Sequence, residues 1–169
     1  KKIKFLLNKT VTAVDTKHAK ALVSIGPSPF AENLKEKDLQ PIQVEADKVL
    51  VSIGRKSNAQ GIGLEGLGLE MDEKGWIMAD DRLRTGIENV FAIGDALGPA
   101  KIMLAHVASA EGIIAAENAM GGNRQMNYDA VPGAIYTAPE VANVGLTENQ
   151  AMEKNLNFRA DTVLFRTIG

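Results

Sequence analysis

The chain has 169 residues, 45% hydrophobic and 24% charged, with a formal net charge of -2, values typical of a folded globular chain that forms one domain or parts of two. This charge argues against a nucleic-acid partner, and no apolar run approaches the roughly 20 residues that a membrane-spanning helix needs. Because the chain has no cysteine and only two histidines, disulfides, a cysteine nucleophile and thiolate or His-rich metal sites are excluded within it.

Both ends of the sequence resemble cuts. The start "KKIKFLL" is already strand-like, and the end "DTVLFRTIG" stops within another such run, whereas natural termini are usually polar and frayed. We therefore expect an internal fragment of a longer chain.

The first third of the chain has β patterning. Two alternating segments within residues 3–26 flank the polar turn "DTKH" and predict a hairpin or meander. Residues 26–40 are rich in proline and charge and predict a surface loop. Residues 41–47 alternate like a strand, and the apolar run Val49 to Ile53 predicts a strand covered on both faces.

A glycine-rich segment follows, in which Gly61, Gly63 and Gly66 formally spell GxGxxG. A dinucleotide fingerprint must follow a strand directly and open a helix, so we reject it here. The segment predicts a loop that leads into the strand "WIMAD", residues 76–80. Next, "TGIENVFAIGDA", residues 85–96, predicts a turn and a strand that ends on Gly94 and Asp95.

The strongest helix prediction covers Ala105 to Met120, with glycines at 121 and 122 as its stop. Beyond it, residues 127–146 predict short β segments, Thr147 an N-cap for a short helix, and residues 158–167 a closing strand. The predicted fold class is α/β, or mixed α+β for the fragment. The predicted apolar stripe of the long helix comprises Val107, Ala110, Ile113, Ile114 and Ala116.

Two elements, "VLVSIGR" and "VFAIGDA", run from apolar residues through Ile-Gly to a charge. In open α/β sheets ligands bind beyond the carboxyl ends of strands, where glycine permits close approach. The Asp95 carboxylate can accept hydrogen bonds from the hydroxyls of a sugar or ribityl chain. The alternative is that Asp95 caps the following turn and Gly94 supplies the bend.

The start of the long helix favours an anionic group, because its N–H groups and dipole face outward there. His106 lies at this end, where packing or capping is commoner than catalytic ionisation. Weaker candidates are Arg55 and Lys56 for a phosphate, and Tyr136 and Glu140 in a loop. On the helix, we expect Glu111 and Glu117 to face solvent or a neighbouring chain.

Four motifs in this order, "VLVSIGRKSN", "TGIENVFAIGDA", "MLAHVASAEG" and "YTAPEVANVGLTENQA", resemble the second half of the dihydrolipoamide dehydrogenases, a family of flavin-dependent pyridine nucleotide-disulfide oxidoreductases. The resemblance is strong from Lys48 to Ala151. It implies part of a two-Rossmann-like FAD- and NAD-binding architecture. Residues 1–57 would close the NAD-binding domain, 58–127 would form the central FAD-binding segment, and 128–169 would start the interface domain.

The resemblance also implies roles for individual residues. Gly94 and Asp95 would hold the ribityl chain of FAD, and the run "MLAH" would line the flavin at the helix N-terminus. The strand end "SIGR" would border the NAD site. These two runs are Met103, Leu104, Ala105 and His106, and Ser52, Ile53, Gly54 and Arg55.

The sequence departs from the family pattern at Ser57, where proline is usual, and in a slightly longer link between Asp95 and "MLAH". The FAD pyrophosphate fingerprint, the redox cysteines, the NAD fingerprint and the His-Glu acid/base of the family are absent from these residues. We therefore expect no catalytic residue here and an inactive chain by itself.

The resemblance implies a parent enzyme, cytoplasmic or in the mitochondrial matrix of a eukaryote, that passes electrons from dihydrolipoamide through FAD to NAD. Its partners would be a second copy, bound through the interface domain, and the lipoyl domains of 2-oxo acid dehydrogenase complexes. The alternatives are mercuric reductase, glutathione reductase or a soluble transhydrogenase, or a non-catalytic dimerisation module.

Overall fold

Local contacts divide the chain into two units, Lys1–Gly54 and Arg55–Gly169. The structure is a computed structural model that describes residues 3–167. Both helices and strands are present, so the mixed α+β class predicted for the fragment is confirmed. No helix within the described residues has the length and apolar character that crossing a bilayer requires.

The first unit is a three-stranded antiparallel sheet with the order β1-β2-β3. Its strands are β1 (Lys9–Asp15), β2 (Ala21–Pro27) and β3 (Ile42–Ala46). The predicted hairpin and the alternating strand that follows it are therefore confirmed. The loop between β2 and β3 also contains a short helix, α1 (Glu36–Leu39), which the pattern did not predict.

Helix α1 is held by polar contacts. The ammonium of Lys9 donates to the carbonyls of Asp38 and Gln40, at 2.6 Å each. The carboxylate of Asp38 accepts from the backbone N–H of Lys35, and this bond lowers the pKa of Asp38. One lysine on β1 thus ties the loop between β2 and β3 back to the sheet.

The predicted strand Val49 to Ile53 is wrong. These residues form no strand, and Leu50, Val51 and Ile53 are 91%, 69% and 92% exposed. An apolar run indicates that a segment is suited to a buried strand, but a strand also needs neighbouring strands with which its backbone can form hydrogen bonds. Within residues 3–167 no strand pairs with this segment.

The second unit is built on one long helix, α2 (Ala105–Ala119). After it come an antiparallel hairpin of β4 (Gly133–Ile135) and β5 (Val141–Asn143), then α3 (Glu148–Glu153). The predictions of the long helix, the short β segments and the Thr147 cap are confirmed, since the Thr147 hydroxyl accepts from the N–H of Gln150. Short 3-10 turns lie at Glu65–Leu67, Gly94–Ala100, Tyr128–Ala130 and Phe165–Thr167.

The core of this unit lies under α2. Ile114 and Ala115 pack with Leu83, Ala92 and Leu97. Val107 and Ile114 of the predicted stripe are buried as expected, but Ile113 is 60% exposed and Ala116 is also exposed, so the assignment of these two residues to the stripe is wrong. The buried face of α2 comprises Val107, Glu111, Ile114, Ala115 and Asn118.

Three further strand predictions are wrong. Residues 76–80 and 90–93 each make only an isolated antiparallel bridge, Met71 with Ile77 and Arg84 with Phe91. Residues 158–164 are irregular, and Phe165–Thr167 is a 3-10 turn. Alternation alone does not make a strand where no neighbouring segment offers a continuous ladder.

The glycine-rich segment follows no strand and leads only into the three-residue turn Glu65–Leu67, so the rejection of a dinucleotide fingerprint is confirmed. The carboxylate of Glu65 accepts from the N–H of Gly61 at 2.7 Å. This bond lowers the pKa of Glu65. Within this loop, the Glu65 carboxylate thus pairs with the backbone N–H of Gly61.

Asn118 fastens the end of α2 to two loops. Its side-chain amide donates to the carbonyls of Arg82 and Arg124, at 2.9 and 2.8 Å, and its oxygen accepts from the N–H of Arg124 at 2.7 Å. Asn118 is 4% exposed. Because these bonds are shielded from water, breaking one of them costs more free energy of unfolding than breaking a bond on the surface.

We expect Asn118→Asp to lower the free energy of unfolding by about 2–4 kcal/mol, because a carboxylate cannot donate to the two carbonyls and leaves them unpaired. Urea titration measures the effect. Asn123→Asp is the matched control, since Asn123 is exposed and its oxygen accepts from Arg82. Equal stabilities of the two variants would contradict the assignment of Asn118 as a buried fastening.

Gly98 sits in a kink of the turn Gly94–Ala100 with φ of 67°. A methyl group at this position would overlap the indole of Trp76, which is 6% exposed. We expect Gly98→Ala to cost about 3 kcal/mol or more, the sum of a strained backbone and an overpacked contact.

The control for this variant is Gly68→Ala, because Gly68 has φ of 71° and open space around the added methyl group. It should cost only the backbone strain, about 1 kcal/mol. If both variants lose the same stability in urea, the contact with Trp76 does not constrain the turn.

Candidate functional site

Asp95 lies at the start of the turn Gly94–Ala100, directly after the bridge segment that contains Phe91. Gly94 has φ of 66°, and a Cβ there would lie 3.2 Å from the Cβ of Ala108 on α2. Glycine is favoured on both counts, because the backbone is left-handed and packs closely on the helix. The turn thus sets Asp95 beside the first turns of α2.

The Asp95 side chain is 44% exposed and lines a cleft of about 290 Å³. This volume is near the lower limit of small-molecule sites, so the cleft can hold part of a large ligand. Its lining contains both hydrogen-bonding and apolar groups, which suits a chain that carries hydroxyl groups. The polar residues include Arg55, Ser57, Asn58 and Asp95, and the apolar ones include Ile62 and Trp76.

The structure brings Arg55 and Asp95 together. The guanidinium Nε of Arg55 lies 3.1 Å from Oδ2 of Asp95, and both side chains are largely exposed. Exposed ion pairs of this kind contribute about 0–1 kcal/mol. The pair therefore joins the charged ends of the two Ile-Gly-charge elements without blocking the Asp95 carboxylate from another partner.

Asp95 does not cap its own turn. No side chain caps the turn at its start, and within residues 3–167 the polar contact recorded for Asp95 is the one with Arg55. Capping had been the alternative explanation for a carboxylate at this position. The geometry leaves Asp95 available to accept hydrogen bonds from a ligand.

The first turn of α2 also faces outward. Leu104 precedes the helix without a side-chain cap, and Ala105 and His106 are exposed. The free N–H groups at this end suit an anionic or electron-rich group. Met103, in contrast, is half-buried.

His106 makes a structural contact. Its Nε2 lies 2.9 Å from the carbonyl oxygen of Pro132. Since a carbonyl only accepts, Nε2 carries the proton and donates. The ring therefore ties α2 to the segment before β4, which agrees with the packing alternative for this histidine.

Ser52, Ile53 and Gly54 close the first unit and are all exposed. Gly54 has φ of 99°, a left-handed conformation like that of Gly94. Lys56 lines the same cleft as Asp95. Tyr136 and Glu140 are exposed near the hairpin β4–β5.

Sequence reasoning missed Glu111. It was expected to face solvent or a neighbouring chain, but it is fully buried, so that prediction is wrong. One carboxylate oxygen accepts from the N–H of Gly94 at 2.6 Å, and the other accepts from the hydroxyl of Tyr128 at 2.8 Å. The signal was available in the spacing, because Val107, Glu111 and Ile114 lie on one helix face.

Glu117, the other helix carboxylate, is exposed as expected and pairs with Arg124 at 2.7 Å. The two glutamates thus differ in environment although they lie on one helix. The apolar pattern alone does not show which of the two glutamates is buried. The spacing from Val107 does, because Glu111 lies four residues after it on the same helix face.

Tyr128 contacts both Glu111 and Lys101, and Lys101 forms an ion pair with Asp81. Burial raises the pKa of the Tyr128 hydroxyl, and the neighbouring Glu111 carboxylate raises it further. The Lys101 ammonium lies 4.6 Å from the centre of the Tyr128 ring and 2.6 Å from Asp81. Tyr128 is therefore held in its protonated, donating form.

The family model of the pyridine nucleotide-disulphide oxidoreductases matches residues 1–112, and the model of the dimerisation domain of these enzymes matches residues 131–169. The chain belongs to the pyridine nucleotide-disulphide oxidoreductases. The resemblance drawn from the four motifs is thereby confirmed, and membership of this family implies the cofactors FAD and NAD.

Named relatives agree. Dihydrolipoyl dehydrogenase of Chlamydia trachomatis is 47% identical over 125 residues, which are 74% of this chain and 26% of the relative. Mitochondrial dihydrolipoyl dehydrogenase 1 of Arabidopsis thaliana is 39% identical over 159 residues, 94% of this chain and 29% of the relative. The chain spans less than a third of the length of either.

A solved structure shares the fold. The crystal structure of LpdA from Mycobacterium tuberculosis superposes with a TM-score of 0.72 at 28% sequence identity. The match covers 87% of this chain and 29% of that one. The fold class assigned to this chain, part of an FAD- and NAD-binding architecture, is confirmed.

The raised pKa of Tyr128 gives a pH prediction. Because the folded state favours the protonated phenol, its contribution to stability is present below the usual tyrosine pKa of about 10 and is lost as pH rises above it. We expect the stability difference between the wild type and Tyr128→Phe to shrink between neutral pH and pH values above about 10. Urea titrations at both pH values measure it.

Tyr136→Phe serves as the control, since Tyr136 is 86% exposed. Its stability difference from the wild type should stay small at both pH values. A difference for Tyr128→Phe that grows with pH would contradict the assigned environment of Tyr128.

Proposed function

We propose that this chain is the central FAD-binding segment and the start of the dimerisation region of a dihydrolipoamide dehydrogenase. The whole enzyme oxidises protein-bound dihydrolipoamide to lipoamide and passes the electrons through FAD to NAD. The observation that carries the proposal is Asp95, a carboxylate that lines a cleft and lies on an uncapped glycine turn packed against Ala108 of α2.

The chain's own residues would hold the cofactor as follows. The Asp95 carboxylate would accept hydrogen bonds from ribityl hydroxyls, and Gly94 would allow the ligand close to the backbone. Met103, Leu104, Ala105 and His106 would line the flavin, and the free N–H groups at the start of α2 would favour an electron-rich group there. The flavin supplies two-electron transfer when bound.

The cleft fits this assignment in part. Its volume and its mixture of hydrogen-bonding and apolar walls suit a ribityl chain, and the exposed ion pair between Arg55 and Asp95 is weak enough to be shared or displaced. Ser52, Ile53, Gly54 and Arg55 would border the NAD site.

The domain organisation is part of the same proposal. Residues 1–57 close the NAD-binding domain, 58–127 form the central FAD-binding segment, and 128–169 start the interface domain. The match to a dimerisation-domain model supports a homodimer. Lipoyl domains of 2-oxo acid dehydrogenase complexes would supply the substrate, in the cytoplasm or the mitochondrial matrix.

The proposed reaction needs a pair of redox cysteines and an acid/base, and the chain contains no cysteine. We therefore expect the chain alone to be inactive. Sister disulfide reductases share this architecture, so substrate assays decide between them. Dihydrolipoamide-dependent NADH formation by the full-length protein supports the proposal, and its absence together with activity on another dithiol or disulfide would overturn the substrate assignment.

We expect Asp95→Asn, in the full-length protein that contains this chain, to raise the dissociation constant of FAD by about 10- to 100-fold, because charge-assisted hydrogen bonds to ribityl hydroxyls are weakened. The measurement is flavin retention in equilibrium dialysis. Asp47→Asn is the control, since Asp47 has only a long, exposed contact with Lys20. An unchanged FAD affinity in Asp95→Asn would contradict the assigned ribityl contact.

A further inference from the structure

Glu111 is a fully buried carboxylate that the proposed reaction does not use. Burying a charged group is costly unless hydrogen bonds replace the lost water. Here both oxygens are used, one by the N–H of Gly94 and one by the hydroxyl of Tyr128. An energetically costly residue with two well-formed bonds indicates a task that a leucine at the same position could not perform.

The first of these bonds, from Gly94 to Glu111, holds the turn Gly94–Ala100, which carries Asp95. The bond to Gly94 is 2.6 Å long and joins residues far apart in sequence. Gly94 is left-handed and lies against Ala108. Its N–H belongs to the peptide between Ile93 and Gly94, so the bond to Glu111 fixes the plane of the peptide that enters the turn, one residue before Asp95. Glu111 therefore controls the orientation of the turn, and Asp95 is left to face the cleft.

The second bond reaches the segment that leads to the dimerisation region. Tyr128 lies just before the matched residues 131–169, and His106 contacts Pro132, the second of those matched residues. Two side chains of α2 thus fasten this segment, one at each end of the turn around Tyr128–Ala130. Removal of the Tyr128 hydroxyl would leave one oxygen of the buried carboxylate unpaired.

We infer that Glu111 is a positioning residue that holds the Gly94–Asp95 turn for the cofactor, and that Tyr128 couples this hold to the docking of the segment before the dimerisation region. The inference rests on the proposed function, since it takes the flavin as the ligand of Asp95. Glu111 acts through Gly94 and touches no reacting atom.

The test uses the full-length protein that contains this chain. Its variants are Glu111→Ala, Glu111→Gln and Tyr128→Phe, with Glu117→Gln and Tyr136→Phe as matched controls on the same helix and for the same hydroxyl loss. Two quantities are measured: the dissociation constant of FAD, and the hydrogen-exchange rate of the peptide that contains Gly94 in the flavin-free protein.

We expect Glu111→Ala to weaken FAD binding by about tenfold or more and to speed exchange at Gly94, because that N–H loses its acceptor. Glu111→Gln should lie closer to the wild type, since its amide oxygen can still accept from Gly94 while its NH₂ group donates to Tyr128. Tyr128→Phe should weaken FAD binding by about threefold or more and also speed exchange. The controls should match the wild type.

The outcomes separate the two claims. If Asp95→Asn leaves FAD affinity unchanged, the proposed function fails, while the exchange rates still report whether Glu111 holds the turn. If Asp95→Asn weakens FAD binding but the Glu111 variants match Glu117→Gln in both measurements, the positioning role is overturned.

Two further results concern Tyr128 and folding. Equal values for Tyr128→Phe and Tyr136→Phe would overturn the coupling to the dimerisation segment. If Glu111→Ala does not fold, Tyr128→Phe decides the question: exchange at Gly94 faster than in Tyr136→Phe and in Glu111→Gln supports the inference, and equal rates in the three variants overturn it.

Discussion

The second unit depends on one helix face that carries both apolar and polar contacts. On α2, Val107 and Ile114 bury the helix against the core, while Glu111 and Asn118 lie on the same face and hold the loops around it. Apolar packing alone would fix the helix but leave the loops free, because packing is not directional. The buried hydrogen bonds supply the direction, and one of them holds the turn Gly94–Ala100.

Features that depend on neighbours in sequence could be predicted from it. The α2 helix followed from its spacing and its glycine stop, and the α3 helix from the Thr147 cap, because capping and helical periodicity are set within a few residues. The first hairpin followed in the same way from two alternating segments and a polar turn. The motif order gave the family for a related reason: each motif is local.

Features that depend on distant partners could not be predicted in this way. Val49 to Ile53 has the composition of a central strand, but the described residues provide no ladder for it, and the run is exposed. Burial of Glu111 depends on Gly94 and Tyr128, which approach it only after folding. The charge of Glu111 suggested exposure to solvent. Its position on the same helix face as Val107 and Ile114 indicated burial, and burial is what the structure shows.

The two carboxylates near the turn Gly94–Ala100 have different partners: Glu111 bonds to the turn itself, and Asp95 faces the cleft. A carboxylate that both caps its turn and binds a ligand would have to share its oxygens, and ligand binding would then compete with the local fold. Here Glu111 accepts from Gly94 N–H, so Asp95 is left with an exposed, weak contact to Arg55. The buried acid is already satisfied and the exposed one is not, so the bonds that hold the turn do not depend on a ligand in the cleft. In the proposed function, this preorganisation would lower the entropy that binding must offset, since the acceptor is in place before the ligand's hydroxyl groups arrive.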